Sequence, residues 1–248
     1  MEAEPIIEVR NLGVTFDNEV ILSSVDFTAR KGEVTVILGG SGSGKTTVLK
    51  HLLGLYPVQR GYVSVLGKDI SQLREAEQVE LYLKMGVFFQ DGALLNSLTV
   101  AENVALPLEQ HTNLSKSLIR DIVHMKLGLV NLEHAWHLYP SQLSGGMLKR
   151  AALARAIAMD PPILFCDEPG AGLDPVSLAS LDKLILNLKN QLGMSVIMVT
   201  HEVLSIMRVA DKIVFIDMGQ TAFEGSIKEA TESNIPAVRD FFSVLVSP

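Results

Sequence analysis

Residues 34–46 constrain this chain more than any other stretch. Val34-Thr35-Val36-Ile37-Leu38 is a short, β-branched apolar run that reads as a buried strand. It feeds Gly39-Gly40-Ser41-Gly42-Ser43-Gly44-Lys45-Thr46, the spacing G-x-x-x-x-G-K-[ST]. Glycines lack a Cβ, so this backbone can curl around an anion and aim its N–H groups inward. A helix opening at Lys45 adds its positive dipole end. The spacing assigns Lys45 to the β- and γ-phosphates of a nucleotide and the Thr46 hydroxyl to Mg²⁺. Thr47, next in the helix, joins the same candidate set. The rival reading is a chance match in a glycine-rich turn, and the flanking strand and helix weigh against it. The motif does not say which reaction follows.

Composition narrows the class. A chain of 248 residues suffices for one large α/β domain or a core with an inserted subdomain. The net charge of −7 argues against nucleic acid as a partner. The single cysteine, Cys166, excludes an internal disulfide framework and points to a reducing compartment. Met1-Glu2-Ala3-Glu4-Pro5 lacks the basic and apolar regions of a signal peptide. No apolar run reaches the roughly 18 residues that span a bilayer, so the chain reads as soluble by itself. Mean hydropathy is +0.29, high for such a chain, which suits either a large core or an apolar partner.

Short candidate strands occupy residues 6–10, 12–16, 20–22 and 25–29, broken at turn-prone Asn11 and Asp17-Asn18. They are expected to form an antiparallel sheet beside the core. Phe16 among them can stack on a purine or fill a strand end. The helix from Lys45 should stop near Leu53-Gly54. A strand over residues 61–66 follows, then a charged amphipathic helix over 71–84 with Ser71 as N-cap, then a strand over 86–89 that delivers Gln90. Strand signals vanish from residue 91 to about 160. Helical periodicity covers 98–106, 115–127 (stopped by Gly128) and 145–159, so this is a helical insertion. His111, His124, His134, His137 and Trp136 lie there without metal-ligand spacing and read as packing or surface residues.

The α/β alternation then resumes. Ile163-Leu164-Phe165-Cys166 ends in Asp167-Glu168, which places two carboxylates at the C-terminal end of a buried strand, where open α/β sheets bind ligands. Asp167 is suited to hold Mg²⁺. Side chains alternate in a strand, so Glu168 is expected to face elsewhere and polarise water. A solvated strand end is the bland alternative. Asp174-Pro175 starts a long helix ended by Gly193, and residues 194–199 form a further strand before Thr200-His201. A hairpin over Met218-Gly219 and helices from Ser226 and Pro236 close the chain. Leu143-Ser144-Gly145-Gly146-Met147 opens an Ala-rich helix. Ser144 caps it, and the two glycines leave a second uncovered helix N-terminus.

These motifs, in this order, resemble the nucleotide-binding subunit of an ATP-binding cassette (ABC) transporter over nearly the whole length. The resemblance implies a P-loop NTPase (RecA-like) α/β core with an N-terminal antiparallel β-subdomain and an inserted α-helical subdomain. As a single domain over 1–248, it assigns 1–90 and 161–248 to the β-subdomain and core, and 91–160 to the helical part. It makes residues 39–46 the Walker A loop, Gln90 the Q-loop glutamine and residues 143–147 the signature motif. Walker B falls on 163–168, the D-loop on 171–174, the switch histidine on His201 and the adenine-stacking aromatic on Phe16. The signature commonly ends in Gln; here Met147 replaces it. That form, together with residues 89–95, 101–108 and 145–156, is similar to the ATPases of Mla/Mce-type lipid transport systems. Some of those carry a longer C-terminal tail than one ending at Pro248.

The resemblance implies ATP and Mg²⁺ as ligands, with Thr46, Gln90 and Asp167 at the metal. Glu168 is then the general base, with His201, Gln90 and Lys45 around the γ-phosphate. Residues 39–47 and Phe16 bind the nucleotide, and Ser144, Gly145 and Gly146 close over ATP held by a second copy in a head-to-tail homodimer. The implied partners are a multi-span permease at the cytoplasmic face of the inner membrane, an MCE-domain lipid-binding protein and a small STAS-type subunit. Alternatives keep the ATPase but change cargo to amino acids or lipoproteins, or assign a non-transport ABC ATPase. The latter usually has a long coiled-coil insertion or second cassette, which this chain lacks. A simple P-loop kinase would explain neither residues 143–147 nor His201.

Overall fold

The computed structural model describes residues 5–243. The expectations about a leader and a C-terminal tail fall on residues outside that range. The chain forms two compact units: residues 1–82 with 195–248, and residues 83–194.

In the first unit, β1 (Pro5–Phe16) and β2 (Glu19–Arg30) make an antiparallel hairpin. Asp17 and Asn18 reverse it at φ 48 and 65, the left-handed pair whose twist suits a two-residue hairpin turn. Each strand is continuous where the sequence suggests two pieces. Asn11, expected as a turn, is a bulge at φ 48, and the pairing shifts register between Val9 and Leu12. Turn and bulge both need left-handed backbone, so one residue type serves either. β1 also pairs antiparallel with β4 (Arg60–Val65), and β4 with the short β5 (Lys68–Asp69). The antiparallel N-terminal sheet is therefore present.

The same unit holds a parallel core. β3 (Val34–Leu38) is buried along its length between β8 (Ser195–Val199) and β9 (Lys212–Asp217), both parallel to it. Strands buried on both faces read as unbroken hydrophobic runs, as these do. β10 (Gln220–Ser226) pairs antiparallel with β9 and touches β2 through one parallel bridge, Gln220 to Ser24. The strand order is β5-β4-β1-β2-β10-β9-β3-β8. α1 (Lys45–Leu52) follows β3 and ends at Leu53, with Gly54 at φ 66. α2 spans Glu75–Tyr82. Ser71 does not cap it: its amide and hydroxyl both donate to Asp69 Oδ1 in a local turn. α7 (Val203–Val209), α8 (Ile227–Thr231) and α9 (Pro236–Phe242) complete the described part of this unit.

The second unit pairs β6 (Met85–Phe88) in parallel with β7 (Ile163–Asp167) and is otherwise helical. α3 (Val100–His111) starts on a reciprocal capping box between Thr99 and Glu102. α4 (Lys116–Leu129) is capped by Ser115 and runs through Gly128 before Asn131, at φ 56, ends the turn. α5 (Gly145–Ala156) packs on α3, α4 and β6, burying Ala151, Ala152, Leu153 and Ala154. α6 (Pro175–Leu192) buries Leu178, Leu181, Leu184, Ile185 and Leu188, and Gly193 caps it at φ 65. Trp136 stacks on His124 at 4.3 Å between ring centroids. Among the described residues no three His, Cys, Asp or Glu side chains are grouped to hold a metal. No described helix is long and apolar enough to cross a membrane.

Candidate functional site

The phosphate loop joins β3 to α1. Its shape is forced at two glycines. Gly39 adopts φ 150, and a Cβ there would lie 2.0 Å from the Ile216 carbonyl oxygen of β9. Gly44 adopts φ 100, and its Cβ would lie 2.4 Å from Leu22 Cδ2 of β2, so the hairpin packs against the loop. Gly40, Ser41 and Gly42 sit at the exposed tip, and Gly42 turns at φ 76. Lys45 Nζ donates to the Gly39 and Gly40 carbonyls at 2.9 and 2.8 Å. Ser43 is 6% exposed, and its buried Oγ has no hydrogen-bond partner among the described residues. Gly44 supplies no side-chain cap to α1, whereas α3, α4, α5 and α6 each have one. An orphaned hydroxyl, an ammonium poised on its own loop and an uncapped helix end all fit an anionic ligand. Thr46 is exposed beside them, and Thr47 offers its carbonyl to His51 Nδ1 at 2.7 Å.

His201 enters from the adjacent strand. Ile37 of β3 lies opposite Val199 of β8 in parallel register, so the loop and His201 leave the sheet at the same end. His201 is exposed and lies 3.9 Å from Glu202 Oε1. Phe16, at the end of β1, is 38% exposed. Its ring meets Tyr56 edge-on, with centroids 5.4 Å apart, and Lys50 Nζ lies 5.2 Å from the Tyr56 ring. Sequence reading did not single out Tyr56, because only folding of α1 brings it back beside Phe16.

The second unit presents its own constellation. Phe88 of β6 lies opposite Cys166 of β7, so Gln90 and Glu168 both leave the pair two residues later, at the same end. Burial pushes the Cys166 thiol well above its usual range, so it stays protonated and inert. Glu168 departs from the sequence argument in one respect. It lies outside the strand, at φ 43. Its direction comes from a left-handed turn rather than from strand alternation. Non-glycine residues seldom adopt that backbone, and strain of this kind gathers at functional positions. Asp167 is the last residue of β7 and is half-buried. Asp174 caps α6 through Val176 N at 2.9 Å and Ser177 N at 3.0 Å, and its bonds to Ser177 hold its carboxyl below the usual range.

Ser144 caps α5, accepting from Met147 N at 3.3 Å. A Cβ on Gly145 or Gly146 would meet nothing within 4 Å, so the start of α5 is open. Two residues that sequence reading passed over hold the Gln90 segment. Lys149 Nζ donates to the Gln90 carbonyl, and Arg155 donates to the carbonyls of Gly92 and Ala93. Nothing local in the sequence marks a lysine that will be buried.

Comparison with known proteins gives the family of the chain. The ABC transporter family matches residues 22–171. The chain is 41% identical over 228 residues to the intermembrane phospholipid transport system ATP-binding protein MlaF of Haemophilus influenzae, covering 92% of this chain and 86% of that one. It is 40% identical to a probable ribonucleotide transport ATP-binding protein, mkl, of Mycobacterium tuberculosis, covering 96% of this chain and 66% of that one. The dimeric post-hydrolysis structure of the ATP-binding cassette MJ0796 bound to ADP and Pi superposes with TM-score 0.80 at 30% identity, over 89% of this chain and 98% of that one. The phosphate loop, the carboxylates after β7 and the open helix at Ser144 thus sit in a chain that belongs to the ABC transporter family, as one of its ATP-hydrolysing cassettes.

Proposed function

We propose that this chain is the energy-coupling ATPase of a membrane transporter that moves phospholipids, working at the cytoplasmic face of the inner membrane. The observation that carries the ATPase chemistry is the phosphate loop, with its orphaned Ser43 hydroxyl and uncapped α1. The phospholipid cargo is supported by the likeness to MlaF over most of both chains. The likeness to mkl supports a second reading, in which the cargo is a ribonucleotide.

Residues 39–47 wrap the phosphates, and Phe16 supports the base. Lys45 exchanges its loop carbonyls for phosphate oxygens, keeping its hydrogen bonds while neutralising charge. Thr46, Asp167 and Gln90 would hold Mg²⁺, which supplies charge stabilisation at the β- and γ-phosphates when bound. Glu168 accepts a proton from the attacking water, and His201 and Gln90 orient that water and the γ-phosphate. Ser144, Gly145 and Gly146 cover the nucleotide of a second copy, so that ATP is shared across a head-to-tail homodimer. The dimeric cassette MJ0796 supports that assembly. The groove around residues 90–104 receives a cytoplasmic helix of a multi-span permease and transmits the motion. An MCE-domain protein and a small STAS-type subunit complete the complex.

The test uses the complex purified with its membrane partners and reconstituted in vesicles. ATP-dependent transfer of labelled phospholipid is expected, and ribonucleotide transfer is not. Glu168→Gln should bind ATP normally and lower hydrolysis roughly 10²–10⁴-fold, the usual contribution of a general base. Hydrolysis per folded molecule that stays near normal in this variant removes Glu168 from the mechanism. Ribonucleotide transfer without lipid transfer selects the second reading.

A further inference from the structure

The segment after β6 is fastened to α5 by two cations. Lys149 is 7% exposed and gives its ammonium to the Gln90 carbonyl, 5.8 Å from the centroid of the Phe88 ring. Arg155 forks onto two more carbonyls, Gly92 at 2.9 Å and Ala93 at 2.8 Å. Between these anchors the backbone lies directly on the helix. A Cβ at Gly92 would stand 3.0 Å from Leu148 Cδ2 and 3.1 Å from Ala152 Cβ. Ala93 is held at φ 50, a left-handed conformation costly for an L side chain. Burial lowers the Lys149 pKa, and the Asp91 carboxylate opposes that shift.

Burying an ammonium is unfavourable unless it is well bonded, and methionine would fill this space without that penalty. The charge here is spent on a neutral carbonyl, that of the very residue assigned to the metal and water. α5 carries the anchors, and Ser144 caps its start.

We propose that Lys149 is a positioning residue: it fixes the Gln90 peptide and, with Arg155, makes the Gln90 segment and the signature helix move as one piece. The inference rests on the reading of Gln90 and Ser144 as parts of the ATP site. It deepens that reading by naming the mechanical link. Phe89 and Leu95, 39% and 46% exposed, flank the anchored stretch. A membrane partner pressing on them displaces Ser144 through hydrogen bonds to Lys149 and Arg155 rather than through a flexible hinge.

The experiment measures kcat and KM for ATP, with melting temperature, in the assembled transporter. The variants are Lys149→Met, Lys149→Arg, Gln90→Ala and the double variant Lys149→Met with Gln90→Ala. Lys149→Met should lower kcat roughly tenfold while KM stays within about twofold, because ATP contacts are untouched. Lys149→Arg, which keeps a buried donor, should restore most of the rate. Added to Gln90→Ala, Lys149→Met should cost nothing further, since it acts through Gln90. Losses that multiply in the double variant overturn the proposal. So does a lowered melting temperature with kcat per folded molecule preserved. If Lys149→Met does not assemble, Lys149→Gln takes its place under the same criteria. Full turnover in Gln90→Ala alone is a different failure: it removes the site reading, and the inference with it.

Discussion

Two lysines set the phosphate loop and the Gln90 segment apart. Lys45 donates to carbonyls of its own loop, at Gly39 and Gly40, in a half-open setting. Lys149 reaches across to another segment and is nearly dry. A cation resting on its own loop can trade those acceptors for phosphate oxygens. A buried one cannot leave without stranding its partner, at about 1–3 kcal/mol. The first region is therefore a cradle shaped by backbone. The second is a strut held by side chains, and Asn103 fixes its far end. That buried amide accepts from Leu95 N at 2.8 Å and donates to the carbonyls of Leu95, Leu98 and Thr99 at 3.1, 3.1 and 3.0 Å.

The contrast can be broken or sharpened by four substitutions, in falling order of effect. Lys45→Ala should lower ATP turnover roughly 10²–10³-fold, the cost of losing a donor aimed at developing charge. Steady-state phosphate release reads it, and turnover within twofold of normal would place Lys45 with the structural lysines. Gly39→Ala should weaken nucleotide affinity roughly tenfold or more, since its Cβ must clear the Ile216 oxygen. Titration with a fluorescent ATP analogue checks it, and unchanged affinity means that the loop is not shaped by its backbone. Asn103→Ala should reduce unfolding free energy by about 1–3 kcal/mol while ATP affinity is kept. Denaturant melts with nucleotide titration separate the two, and lost affinity at full stability would make the far anchor part of the cradle. Ala93→Gly should raise stability by at most about 1 kcal/mol, relieving the φ 50 strain. A lowered melting temperature would mean that Ala93 is not strained.

Local chemistry was the legible part of this chain. The phosphate loop, the Ser144 and Asp174 caps, the stripe of α6 and the turn at Met218-Gly219 all depend on neighbours within a few residues, so pattern and propensity suffice. Asn11 and Ser71 misled for the same reason that they are informative: their side chains and backbone suit several local motifs, and distant pairing or a nearby aspartate chose among them. Glu168 was singled out, but its orientation was argued from a strand that ends one residue earlier. Tyr56, Lys149 and Arg155 were invisible as participants. Their partners lie 40, 59 and 62 residues away in the cases of Phe16, Gln90 and Ala93, and no periodicity encodes such contacts.

The uncapped start of α1 has a thermodynamic consequence. A side chain that capped this helix would belong to the fold in every state; Gly44 gives none, so under the proposed function a bound phosphate would complete the helix instead. The ligand is then a folding reagent for its own site. Occupancy contributes RT ln(1 + [L]/Kd) to the native state, about 2.7 kcal/mol when the nucleotide is at a hundredfold excess over its dissociation constant. Heat resistance of this unit therefore reports the nucleotide concentration around it, and a cell depleted of ATP would hold a measurably softer cassette.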